Sequence, residues 1–141
     1  MKPLASILKA LPPTKVINID YSKYIMLDLS VTNRELVEKK LQNSDDFKNF
    51  ISNYLEENNA EVAFGGYIEG RTLYQRSTIF KNDSVPERNI HIGLDLWTKV
   101  ETTVLAPLDG KVHSFKNNIG LGDYGPTIIL EHEIEKERFC T

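Results

Sequence analysis

His91, His113 and His132 are the only imidazoles in the chain, so any chemistry that needs a histidine base or metal ligand must use them. His91 opens the run His91-Ile92-Gly93-Leu94-Asp95, which sets an imidazole and a carboxylate four residues apart across a glycine. In a straight strand the two side chains share a face but stand about 13 Å apart at roughly 3.3 Å per residue, too far for one ion. The backbone must therefore bend if they are to act together. Gly93 permits the bend without a Cβ clash, and a tetrahedral zinc with ligands at about 2.0–2.2 Å then accepts one His nitrogen and one Asp oxygen. On spacing alone a hydrogen-bonded turn competes with a metal site.

The other reactive residue types offer less. Cys140 is the single cysteine, which excludes an internal disulfide framework and a cysteine-only zinc site. Nothing near it in sequence depresses its pKa, so it reads as a strand residue. His113 follows the Asp109-Gly110 turn by three residues, and a strand that began at the aspartate would contradict that turn, so His113 reads as structural. Glu131, Glu133, Glu135 and Glu137 alternate with His132, Ile134, Lys136 and Arg138, a pattern that fits a solvated strand face better than paired catalytic carboxylates.

These residues need a scaffold, and 141 residues leave room for one compact domain, or a small domain with an extension. Hydrophobic residues at 40% suffice for a core. Seventeen basic against 20 acidic side chains give a net charge of −3, with no polybasic footprint, so neither nucleic acid nor a membrane surface is expected as partner. No apolar run approaches the roughly 18 residues that span a bilayer. Residues Met1 to Leu11, interrupted by Lys9 and followed by Pro12-Pro13, do not read as a secretory leader, and the expected address is cytoplasmic.

The chain changes character near Asn59. Before it, Ser6 to Leu11 predicts a short helix, and Val16 to Tyr21 with Tyr24 to Leu29 alternate as a strand pair. Thr32-Asn33-Arg34-Glu35 reads as a capping box opening a helix with Leu36, Val37 and Leu41. Ser44 then caps a second helix, in which Phe47, Phe50, Ile51, Tyr54 and Leu55 recur with a 3.6-residue period as a core stripe. Beyond Asn59, turn signals such as Gly65-Gly66, Asp109-Gly110 and Gly125-Pro126 separate β-rich runs at Glu61 to Phe64, Ile90 to Trp97, Thr103 to Leu105, Lys111 to Phe115 and Thr127 to Glu133. The expected fold class is α+β: a mixed helix and strand extension over 1–58, then an antiparallel β domain over 59–141.

Glu87 to Trp97 with its His-x-Gly-x-Asp run, Thr102-Thr103-Val104-Leu105-Ala106-Pro107-Leu108-Asp109-Gly110-Lys111-Val112, and the glycine turn around Tyr124 leading to His132 occur in that order. Together they resemble the lysostaphin-type zinc metallopeptidases over about residues 64 to 141. The resemblance implies an antiparallel β domain of the duplicated-hybrid-motif kind holding one zinc. It also implies metalloendopeptidase activity in active members, commonly on peptide cross-links of bacterial cell walls. His91 and Asp95 correspond to two of the three protein ligands. The third, and a histidine that assists the water, come in that family from a downstream His-x-His motif that this sequence lacks. The β domain is accordingly expected to be incomplete at its C-terminus, with a partial zinc site, no catalytic residue and no peptide hydrolysis. In the family the position of His132 is a strand residue near the site rather than a ligand. Gly70-Arg71-Thr72-Leu73-Tyr74 lies where related domains carry an Arg and a Tyr at the groove edge, which makes Arg71 and Tyr74 the substrate-binding candidates. Arg71 binding a substrate carboxylate bidentately stands beside a surface arginine packed over Tyr74.

Two readings compete with a peptidase fragment. A non-catalytic binding or regulatory module keeps the same fold and a peptide ligand. A biotinyl or lipoyl carrier ranks below it, because Lys111 lies one place past the Asp-Gly turn and a carrier has no use for the His-x-Gly-x-Asp pair. An interrupted sheet leaves unpaired edges at Lys111 to Phe115 or Thr127 to Ile134, so self-association is expected as well.

Overall fold

The computed structural model describes residues 3–34, 36, 39, 44–71, 90–120 and 123–141. They form a mixed α+β structure with two helices and mostly antiparallel sheets. The chain falls into two compact units, one formed by residues 19–102 and the other by residues 1–18 with 103–141.

In the unit of residues 19–102, β1 (Tyr24–Leu27) runs parallel to β2 (Val62–Gly65), from Tyr24 opposite Val62 to Leu27 opposite Gly65. A later strand, β5 (Leu96–Trp97), pairs antiparallel with the other side of β2. The expected helical stripe is present on α2 (Ser44–Glu57): Phe50 and Ile51 are buried with Leu27, Leu29, Leu36 and Ala63, and Phe47, Tyr54 and Leu55 pack at the margin. Each fully buried side chain of this size contributes about 1.5–3 kcal/mol, so docking of this face holds the helix on the sheet. Tyr54 adds direction by donating its hydroxyl to the Met26 carbonyl at 2.8 Å. The helix stops where Asn59 takes a left-handed φ of 49°, with Ala60 N–H returning to Leu55 O at 2.9 Å and Asn59 N–H to Glu56 O at 3.1 Å. This pair of bonds satisfies the terminal carbonyls, and asparagine tolerates the backbone that glycine usually supplies.

Two local expectations change. Val16 to Tyr21 does not pair with Tyr24 to Leu29. Asp20 accepts from Ser22 N–H at 2.9 Å and coils Tyr21–Lys23 into a 3-10 turn, while β1 finds its partner in β2. The helix cap also falls one residue later, at Asn33, whose Oδ1 accepts from Leu36 N–H at 3.3 Å. The Thr32 hydroxyl is engaged with Ser30 Oγ at 2.7 Å. Glu35, Val37 and Leu41 lie outside the described residues.

In the other unit, α1 (Leu4–Lys9) precedes a bridge between Ile17 and Val104, flanked by Asn18 N–H to Thr103 O and Leu105 N–H to Val16 O. The predicted strand at Thr103 to Leu105 is reduced to that bridge. An antiparallel sheet follows in the order β6 (Lys111–Asn118), β7 (Gly125–Ile134), β8 (Glu137–Cys140). The Glu131 to Arg138 alternation is thus two strands with a turn at Glu135 and Lys136, whose φ values are 50° and 72°. The expected edge at Thr127 to Ile134 is corrected in part: β7 is the central strand, covered by β8 over Glu131 to Ile134, and β6 and β8 are the edges. None of the helices among the described residues is long and apolar enough to cross a membrane.

Candidate functional site

The run from Ile90 to Trp97 is not one strand. Ile90–His91, as β4, pairs with β3 (Glu69–Gly70), with His91 opposite Glu69 and Ile90 opposite Gly70. The chain then turns through residues 92–95 before β5 joins β2. Gly65 N–H donates to Asp95 O at 2.9 Å at the end of this turn, and Val31 N–H donates to Gly70 O at 2.9 Å on β3.

The turn brings the two residues singled out by spacing into contact, with His91 Nε2 3.2 Å from Asp95 Oδ2. Gly93 lies against the ring, where an added Cβ would stand 3.1 Å from His91 Nε2 and 3.3 Å from Cε1. Its φ is not left-handed, so the glycine serves close approach rather than an unusual backbone.

Arg71 completes the constellation from the end of β3. It is buried, with 4% of its surface exposed. Its Nη1 donates to Asp95 Oδ2 at 2.5 Å and its Nε to Glu69 Oε2 at 2.6 Å. Glu69 is anchored in turn, with Oε1 accepting from Leu29 N–H at 3.1 Å. Burial pulls the guanidinium pKa down, but the hydrogen bonds to Asp95 and Glu69 outweigh it and hold Arg71 above its ordinary value, so it stays cationic. Its Nη2 is buried without a hydrogen-bond partner and faces Gly65, whose added Cβ would stand 2.8 Å away. Nε and Nη1 each donate to an internal carboxylate, and among the described residues Nη2 has no such acceptor. Tyr74, the other substrate-binding candidate, lies outside the described residues.

Glu69 escapes a reading that starts from histidines. Its signal is the Glu69-x-Arg71 spacing, which sets opposite charges on one face of an extended segment.

Zinc at about 2.0–2.1 Å from two tetrahedral ligands separates their donor atoms by about 3.3–3.4 Å, a spacing close to the 3.2 Å between His91 Nε2 and Asp95 Oδ2. Among the described residues no three His, Cys, Asp or Glu side chains converge.

The two remaining histidines belong to the other unit. His132 is 1% exposed, with Nδ1 3.0 Å from Asp109 O and Nε2 2.8 Å from Thr141 Oγ1. A neutral imidazole satisfies both bonds by donating from Nδ1 and accepting at Nε2, which makes His132 a clamp on the Asp109–Gly110 turn. His113 is exposed at the β6 irregularity, with Nδ1 3.0 Å from Ser114 Oγ. Cys140 is an exposed free thiol at the end of β8. No family model, curated protein or solved structure matches this chain.

Proposed function

We propose that His91 and Asp95 form a zinc half-site of a metalloendopeptidase-like centre, on an antiparallel β domain of the lysostaphin type, with a peptide as substrate or ligand. The observation that carries this reading is the 3.2 Å approach of His91 Nε2 to Asp95 Oδ2 across Gly93. A plain extended backbone would hold the two side chains about 13 Å apart. Zinc, when bound, supplies Lewis-acid activation of water for peptide hydrolysis. The chain's own contribution is positional. His91 presents a ring nitrogen, Asp95 a carboxylate oxygen, and Gly93 the space for the ring.

A catalytic zinc takes three protein ligands, and the described residues group two, so this chain by itself is expected to bind metal without cleaving peptides. One observation favours a second reading, a non-catalytic peptide-binding or regulatory module. Asp95 Oδ2, the oxygen that faces His91, already accepts from Arg71 Nη1, so the carboxylate has a partner within the fold without a metal.

Zinc titration of the chain and of His91→Ala, by competition with a chromophoric chelator, separates the two. The half-site requires tighter binding by the wild type, with the difference abolished in Asp95→Asn. Equal, weak binding by all three proteins removes the metal and leaves the binding module.

A further inference from the structure

We propose that Glu69 and Arg71 are positioning residues that act as one relay on Asp95. This inference rests on the half-site reading for its metal readout. The order of contacts is continuous: Leu29 N–H holds Glu69 Oε1, Glu69 Oε2 holds Arg71 Nε, Arg71 Nη1 holds Asp95 Oδ2, and that oxygen faces His91 Nε2. Leu29 is itself buried in the core, so the relay starts from a fixed backbone amide. An aspartate has few ways of pointing its carboxylate, and a guanidinium pinned at one end selects among them.

The relay is suited to this task for three reasons. Arg71 is buried with two nitrogens committed inward, so it does not serve solvent or the fold's exterior. Its planar fork reaches two carboxylates in fixed directions, which a lysine ammonium does not reproduce. Gly65 leaves the room that Arg71 Nη2 occupies, since an added Cβ would meet that nitrogen at 2.8 Å and the Trp97 ring at 3.0 Å. Glu69 on β3 and Arg71 just after it therefore set the donor geometry of residues on β4 and on the turn after it.

The test uses the full chain and zinc itself. Wild type, Glu69→Gln, Arg71→Lys, Arg71→Met and the double variant Glu69→Gln/Arg71→Met are titrated by chelator competition, with circular dichroism and a melting curve confirming that each is folded. Loss of an outer hydrogen bond to a metal-ligating side chain typically costs 10–100-fold in affinity, and that range is expected for Arg71→Met and Glu69→Gln. Arg71→Lys restores only part of the loss, and the double variant binds no more weakly than Arg71→Met alone. Folded single variants that bind like wild type, or a double variant whose losses multiply, overturn the relay. Glu69→Gln is the mild variant, because its amide oxygen still accepts from Leu29 N–H.

If wild type binds zinc no better than His91→Ala, the half-site falls and the relay is judged in the metal-free chain. Denaturation midpoints of Glu69→Gln, Asp95→Asn and their combination then decide. Shifts that do not add show the two carboxylates coupled through Arg71, and additive shifts overturn the relay.

Discussion

Two glycines make the same substitution informative in opposite ways. At Gly93 an alanine Cβ would stand 3.1 Å from His91 Nε2, and at Gly110 it would stand 2.5 Å from the Glu131 carbonyl oxygen and 2.7 Å from His132 Nδ1. Neither glycine has a left-handed φ, so neither change strains its own backbone. Gly93→Ala meets the tip of a side chain that yields by a few tenths of an ångström. That crowding is offset by the roughly 0.4–1 kcal/mol gained by stiffening the unfolded chain, and the net effect on stability stays within about 1 kcal/mol. The imidazole it pushes is the one the proposed half-site uses, so zinc affinity is expected to fall about tenfold or more. Gly110→Ala meets the backbone of the central strand β7, which cannot swing away. Overpacking together with loss of the His132 bond to Asp109 O is expected to cost about 2–4 kcal/mol. Urea denaturation and chelator competition on both variants read the two effects. A Gly93→Ala protein as destabilised as Gly110→Ala, or one that binds zinc like wild type, refutes the view that Gly93 exists to seat the His91 ring.

Other expectations concern the sheet of the second unit. Glu135 and Lys136 both hold left-handed φ in a two-residue hairpin, where asparagine and glycine are the favoured pair. Glu135→Asn/Lys136→Gly is therefore expected to raise stability by about 1 kcal/mol, and an unchanged denaturation midpoint would show that the turn carries no strain. The Lys111 ammonium lies 2.9 Å from Glu131 Oε1 and, by hydrogen bonding first and charge second, lowers the pKa of that carboxyl. A depressed carboxylate pKa stabilises above the unfolded value and is lost as pH falls through the folded one. The stability gap between wild type and Lys111→Met is thus expected to close on acidification through the carboxylate range, and a gap independent of pH would exclude the pair. Phe115, 79% exposed on edge strand β6, is expected to promote strand-edge self-association, so Phe115→Lys lowers the apparent mass in light scattering. Equal masses for the two proteins would move the contact elsewhere.

What could be read from the sequence follows the range of the interactions involved. The stripe from Phe47 to Leu55 lies within one helix, and its period alone identified the face that the core buries. The bend at Gly93 was equally local, because an imidazole and a carboxylate four residues apart in an extended run meet only if the backbone between them turns. The partner of β1 was not local. Tyr24 to Leu27 alternates as any half-buried strand does, and nothing in those residues distinguishes the segment before them from β2, which lies 38 positions downstream at the Tyr24–Val62 pair. The cap at Asn33 shows a subtler limit, since threonine and asparagine both cap well and the Ser30 hydroxyl decided between them by engaging Thr32. Glu69 and Arg71 carry an ion-pair spacing, but Asp95 is 24 residues beyond Arg71, and only the fold shows that one guanidinium serves both carboxylates.

The charges around His91 and Asp95 would distinguish the proposed half-site from a plain hydrogen-bonded turn. Among the described residues, Glu69 and Asp95 bring two formal negative charges to one guanidinium beside the imidazole. Burying such an excess is costly unless a cation or proton answers it, and the Glu69 side chain is 10% exposed and that of Asp95 31%. A turn that needed only rigidity could hold its shape with neutral hydrogen bonds such as Gly65 N–H to Asp95 O. The charged set adds attraction for a cation at the oxygen that His91 faces. Asp95→Asn with Glu69 intact brings the set to charge balance, so it is expected to keep the backbone turn while losing most of the zinc affinity. An Asp95→Asn protein with wild-type affinity would leave the carboxylates no part in metal capture and reduce the constellation to a brace for the turn.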